Sequence, residues 1–249
     1  MDLARRATAE ATGTALLLAA VVGSGIMAQR LCDGNIALAL LANTLATGGA
    51  LVAIMLTFGP VSGAHLNPAV TLVDAWQHGL PWHDVCAYIG AQVAGALGGV
   101  AIANVMFGLP IFTASHHTRT GGPQWLGEFV ATFGLLAVIW GCSRSKSAGT
   151  PFAVAAYIVS AYWFTSSTSF ANPAVTIART LSDTFAGIRP VDAPGFIVAQ
   201  LLGAAAATFL FAYIAPITRA IAPAAVVAHP EKSRATSAVH SRVRPERHV

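Results

Sequence analysis

Two amide side chains open a repeated motif. Asn67-Pro68-Ala69-Val70-Thr71 recurs as Asn172-Pro173-Ala174-Val175-Thr176. An asparagine amide carries two N–H donors and one carbonyl acceptor. The polar residues near the two copies contain no Ser-His-Asp set and no metal-ligand spacing, so no enzyme, metal or cofactor is expected. Two carboxylates, Glu10 and Glu128, lie inside otherwise apolar runs. An ionisable group in such a place is a functional candidate, either as a proton relay or as an acceptor supporting nearby loops. Their matching positions, one near the start of each half, favour support. His65, just before Asn67, can line the cytoplasmic mouth of a path past the asparagines or satisfy a loop carbonyl. His116 and His117 are adjacent but have no nearby Cys or carboxylate in sequence, and they are read as a solvated loop.

These side chains need elements to hold them. The chain has 249 residues, 55% hydrophobic and 10% charged. A soluble domain carries about 25% charged residues, so this is read as an integral membrane protein in a lipid bilayer. Six apolar segments stand out, at roughly 7–28, 36–57, 85–107, 126–142, 152–164 extended by a few residues, and 193–214. Arg5 and Arg6 precede the first, as in a signal peptide, but Glu10 and the length of the run mark it as a retained span. Cys32, Cys86 and Cys142 are scattered and odd in number, which fits small apolar residues without pairing. Residues 221–249 form a basic tail, read as disordered, solvated and able to touch anionic lipid. No nucleic-acid partner is expected. Six spans put both termini on one side. Arg5, Arg6, Arg144 and Lys146 sit near span ends on that side, so the positive-inside bias makes both termini cytoplasmic.

The two halves repeat beyond the first motif. Glu10-Ala11-Thr12-Gly13-Thr14 matches Glu128-Phe129-Val130-Ala131-Thr132, and Ala91-Gln92-Val93-Ala94-Gly95-Ala96 matches Ala199-Gln200-Leu201-Leu202-Gly203-Ala204. Ordered matches argue for duplication. Three spans per half make the second copy cross upside down, an inverted repeat over about 7–115 and 123–215 within a channel domain 1–220. The runs 67–76 and 172–181 are too short to cross. At 1.5 Å per residue, about ten residues cover roughly 15 Å of a bilayer core near 30 Å. Pro68 and Pro173 suit the first helical position, and Asn67 and Asn172 suit the N-cap. Two half-helices entering from opposite faces meet Asn to Asn with their positive ends inward. The irregular stretches 59–66 and 165–171 can offer carbonyls to a polar path. Small residues such as Gly95 and Gly203 let helices pack closely. The fold class is therefore an all-α membrane protein of six transmembrane helices and two re-entrant half-helices.

Over about residues 7–215 the sequence resembles the aquaporin, or major intrinsic protein, family. The resemblance rests on Ser62-Gly63-Ala64-His65-Leu66-Asn67-Pro68-Ala69, on Asn172-Pro173-Ala174, on Glu10 and Glu128, and on the paired Ala-Gln-x-x-Gly-Ala motifs. It implies a six-helix right-handed bundle, one pore per subunit and a homotetramer. It implies a passive channel in which the Asn67 and Asn172 amides orient water or solute, with His65, Phe170 and Ala171 lining the pore. Glu10 and Glu128 would then buttress the loops. The alternative is a proton-coupled secondary transporter using Glu10 and Glu128.

One position departs from the family pattern. The residue after the second Asn-Pro-Ala is arginine in most of the family and projects into the narrowest part of the pore; here it is Val175. The resemblance places the other filter positions at Thr47, Ser160 and Ser169, with Ala161 or Tyr162 replacing Ser160 under a shift of one or two residues. All four of the first assignment are small or medium and uncharged. Arg179 lies further along the half-helix and is not an obvious substitute. The Asp that commonly follows the filter arginine in glycerol facilitators is also missing, with Thr176 in its place. Ala42-Asn43-Thr44, the stretch 162–170 and Val175 resemble a bacterial branch associated with arsenic resistance, which implies a bacterial plasma membrane and passage of arsenite and organoarsenicals besides water and glycerol.

Overall fold

The computed structural model describes residues 1–145 and 147–215; Lys146 and the expected tail at 221–249 lie outside the described residues. Among these residues eight α-helices follow one another: α1 Leu3–Leu31, α2 Ile36–Ser62, α3 Pro68–Trp76, α4 Trp82–Met106, α5 Gly122–Arg144, α6 Thr150–Phe164, α7 Pro173–Arg179 and α8 Ala193–Ile214. Among the described residues, five helices are long and apolar enough to cross a membrane: α1, α2, α4, α5 and the last, counted with its preceding turn from Pro190.

Local chemistry sets the ends. Asp2 caps α1 by accepting the Arg5 N–H at 2.9 Å. Asn35 caps α2 by accepting the Leu38 N–H at 3.0 Å. α2 stops at Gly63, whose left-handed φ of 89° costs a glycine little. α6 has 15 residues, Thr150–Phe164, so the run 152–164 is extended at its N-terminal end and stops at Phe164. The chain turns extended at Thr165, whose hydroxyl donates back to the Ala161 carbonyl at 2.7 Å. α7 likewise ends at Arg179 rather than at 181. The Thr180 and Leu181 carbonyls instead accept the Ser115 and Thr113 N–H groups of the loop that crosses from α4 to α5.

Packing follows the duplication. α1 lies against α4 and α2 as α5 lies against α8 and α6, while α2 meets α6 across the halves. Each half-helix packs on a long helix of its own half and one of the other: α3 on α4 and α8, α7 on α8 and α4. The repeated Gln-x-x-Gly now has a physical reading. A Cβ added at Gly95 would overlap the Ala11 carbonyl of α1, and one at Gly203 would overlap the Phe129 carbonyl of α5. The missing side chains let the helices touch backbone to backbone. Polarity is arranged for a hydrocarbon surround. Glu10, Gln92, Glu128 and Gln200 are fully buried, while Leu45, Ile102, Trp163 and Phe209 are exposed.

Candidate functional site

The site is built where the two half-helices meet. Asn67 caps α3: its Oδ1 accepts the Ala69 N–H at 2.9 Å. Asn172 caps α7 in the same way, accepting the Ala174 N–H at 3.0 Å and the Val175 N–H at 3.3 Å. Each amide then reaches across to the other half. Asn67 Nδ2 donates to the Ala171 carbonyl and Asn172 Nδ2 to the Leu66 carbonyl, both at 2.7 Å. An NH2 group has two hydrogens, so each asparagine keeps one for the cavity that both line. The prolines and alanines of the motifs are buried at the half-helix starts and do not line it.

The loops leading into the half-helices are strained in matching fashion. Ala64 and Leu66 have φ of 48° and 52°, and Ser169 and Ala171 have 50° and 49°. Non-glycine residues there cost about 1–3 kcal/mol each, so the surroundings must enforce the shape. The two carboxylates do so. Glu10 accepts the His65 and Leu66 N–H groups at 2.9 and 2.6 Å, the Ser62 hydroxyl at 2.6 Å and the Gln92 amide at 2.8 Å. Glu128 accepts the Phe170 and Ala171 N–H groups at 2.8 and 2.9 Å and the Gln200 amide at 2.6 Å. The same glutamine amides donate onward to Thr71 and Thr176, at 2.9 and 2.8 Å. Each half thus chains a carboxylate, a glutamine and a half-helix threonine. The Ala-Gln-x-x-Gly repeat flagged Gln92 and Gln200 as duplicated, but their partners emerge only in three dimensions.

His65 lines the cavity at the α3 side, with Nδ1 at 3.1 Å from the Thr71 hydroxyl and Nε2 at 3.5 Å from Asp74. On the α7 side the wall holds Thr47, Ser169, Phe170, Ala171 and Val175. The Ser169 hydroxyl has no hydrogen-bond partner among the described residues. Ser160 does not belong to this wall. It is exposed, and its hydroxyl returns to the Ala156 carbonyl of its own helix at 2.9 Å. Tyr162 takes the place, with its hydroxyl 3.5 Å from Thr47 Oγ1. Two residues along a helix rotate a side chain by about 200°, which turns an exposed position inward.

Two arginines approach the Phe170 ring of this wall. Arg179 does reach the cavity wall, one turn beyond Val175. Its guanidinium stacks 3.3 Å from the centroid of the Phe170 ring, and its Nε donates to the Ala186 carbonyl. Arg119 comes from the loop between α4 and α5 and was singled out by no motif. Its guanidinium donates to the Gly187 carbonyl at 2.8 Å and to those of Ser167 and Phe185 at 3.4 Å. Partners that are backbone carbonyls leave no mark in sequence. His116 is solvent-exposed, as expected of a solvated loop, and it has one partner that the sequence did not indicate. The Asp183 carboxylate clamps it, accepting its backbone N–H at 2.9 Å and lying 3.0 Å from Nδ1.

Comparison with known proteins agrees with this geometry. Residues 1–166 match the sequence profile of the family described as Major intrinsic protein. The chain is 54% identical over 226 residues to the aquaglyceroporin AqpS of Rhizobium meliloti, covering 89% of this chain and 97% of that one. It is 30% identical over 244 residues to the probable aquaporin AqpM of Archaeoglobus fulgidus, covering 86% of this chain and 98% of that protein. The X-ray structure of the aquaglyceroporin from Plasmodium falciparum superposes with a TM-score of 0.65 at 17% identity, over 86% of this chain and 97% of that chain. At that identity the likeness is one of fold.

Proposed function

Because the chain belongs to the major intrinsic protein family, and so forms a membrane channel for water and small solutes, we propose that its range extends to glycerol-sized neutral molecules and to trivalent arsenic. At about pH 7 arsenite is the neutral As(OH)3, and its organic derivatives add apolar bulk. The observation that carries this reading is Val175 on the cavity wall at the family's arginine position, beside Thr47, Tyr162 and Ser169. A valine there removes a long charged fork from the filter, which widens it and lowers its polarity. Water loses part of its advantage, and solutes with both hydroxyl groups and apolar surface gain. Flux is passive. Glu10 already receives four donors, which fill the roughly four lone-pair sites of a carboxylate. Neither Glu10 nor Glu128 lines the cavity, so a proton-coupled cycle through them lacks an accessible group. The working form is a homotetramer in a bacterial plasma membrane with both termini cytoplasmic.

The test is a solute panel on proteoliposomes. Water, glycerol, arsenite and methylated arsenicals are compared between wild type and Val175→Arg. Restoring the arginine should cut glycerol and arsenite flux about tenfold, equivalent to about 1.4 kcal/mol of barrier, and water flux by less. Equal effects on all solutes, or none, would remove Val175 from the filter. Uphill accumulation driven by a pH gradient would favour the transporter.

A further inference from the structure

We propose that Arg179 is the cation barrier of this pore and its solute-facing donor at the α7 end, doing one helical turn further along α7 what an arginine at position 175 does in the family resemblance. The inference rests on the channel reading above. Val175 and Arg179 are four residues apart on α7, hence on one face of the helix, and both line the cavity. Four residues rise about 6 Å along the backbone, and the long side chain leans back toward the helix start, where its guanidinium meets the Phe170 ring.

The guanidinium is buried, 3% exposed, yet it is not used up. Among the described residues it donates only through Nε, to the Ala186 carbonyl, and both Nη groups make no hydrogen bond to protein. The contrast with Arg119 is direct. There Nε, Nη1 and Nη2 are all taken by carbonyls of the surrounding loops. Arg119 ties loops together, whereas Arg179 holds donors in reserve on the cavity wall. Phe170 supplies its platform. The ring carries the guanidinium face on and packs edge-on against Phe196, with centroids 5.2 Å apart. A planar cation held flat on an aromatic ring keeps its position without spending its donors.

The charge and the residue at the filter position are thereby supplied by different residues of one helix face. A proton or metal cation meets a fixed positive group in a low-dielectric wall and is refused. A neutral solute receives a hydrogen bond from Nη and passes on to the uncharged stretch at Val175. Loss of the family arginine at 175 therefore does not entail loss of the cation barrier.

The full chain in proteoliposomes tests this. Proton and potassium flux and water and glycerol flux are measured for wild type, Arg179→Gln and Arg179→Lys. Arg179→Gln should raise proton and potassium flux about tenfold while water still passes; Arg179→Lys should stay tight. Arg179→Met, which keeps a stem to pack on Phe170, is read by the same criterion where the glutamine variant is not monodisperse. A water-conducting Arg179→Gln or Arg179→Met channel with wild-type proton and potassium flux would overturn the role given to Arg179 alone. A wild-type protein that passes neither water nor glycerol would overturn the channel reading itself.

Discussion

Glu128 shows how much one side chain decides here. Its two oxygens accept the N–H groups of Phe170 and Ala171 and the Gln200 amide, and these hold a loop whose backbone would otherwise relax from positive φ. Glu128→Gln keeps the shape but turns one oxygen into a donor that faces another N–H. The loss of a charge-assisted bond together with an unsatisfied buried donor should cost about 3 kcal/mol. We expect a lower unfolding temperature in detergent and reduced water permeability, with no new dependence on a pH gradient. A variant as stable and as permeable as wild type would show that the loop holds itself. Single residues also mark where sequence reasoning stops. Glu10 and Glu128 stand out because carboxylates are rare in apolar runs. Ser160 and Tyr162 cannot be told apart that way, since α6 carries apolar residues towards lipid and towards the core alike.

At the scale of elements, the close crossings of α1 with α4 and of α5 with α8 set the frame that carries both half-helices. Each crossing depends on a glycine. Gly203→Ala would drive a methyl into the Phe129 carbonyl, whereas Gly98, on the neighbouring face of α4, has nothing within 4 Å of an added Cβ. Overpacking of this kind costs about 1–3 kcal/mol. Gly98→Ala should be neutral or gain up to about 1 kcal/mol from helix propensity. Thermal unfolding of the two variants in detergent checks the difference; equal midpoints would mean that the crossing yields easily. The half-helices themselves follow from local rules, with Asn at the cap and Pro at the first position. The end of α7 did not follow from them: the Thr180 and Leu181 N–H groups bond three residues back, to Ile177 and Ala178, and the loop from α4 takes the carbonyls of Thr180 and Leu181.

Over the whole molecule, that loop joins segments far apart in the chain, bonding to Thr180, Leu181 and Asp183 beyond α7. Asp183 is its acid-sensitive fastening. The His116 backbone N–H, then the His116 side chain, holds the Asp183 carboxyl below the usual carboxylate value. A depressed folded value means that the contribution is complete above the unfolded value and is lost as pH falls through the folded one. The loop should stay docked from neutral pH down to about pH 4 and loosen below it. Hydrogen exchange of residues 113–117, corrected for intrinsic rate, should rise only in that acid range, and Asp183→Asn should abolish the pH dependence. Exchange that is flat with pH in wild type would remove Asp183 from this role. By itself the sequence determined the six apolar runs, the two half-helices, the paired carboxylates and the valine at 175. Each is a matter of length, local capping or internal repetition, and needs no partner to be read. The tertiary structure alone decided that Tyr162 and not Ser160 faces the cavity, that Arg119 is spent on loop carbonyls, and that Arg179 keeps donors on the wall that the described residues do not use. In a helix apolar on every side, only packing against the other half of the chain fixes which face is the inside.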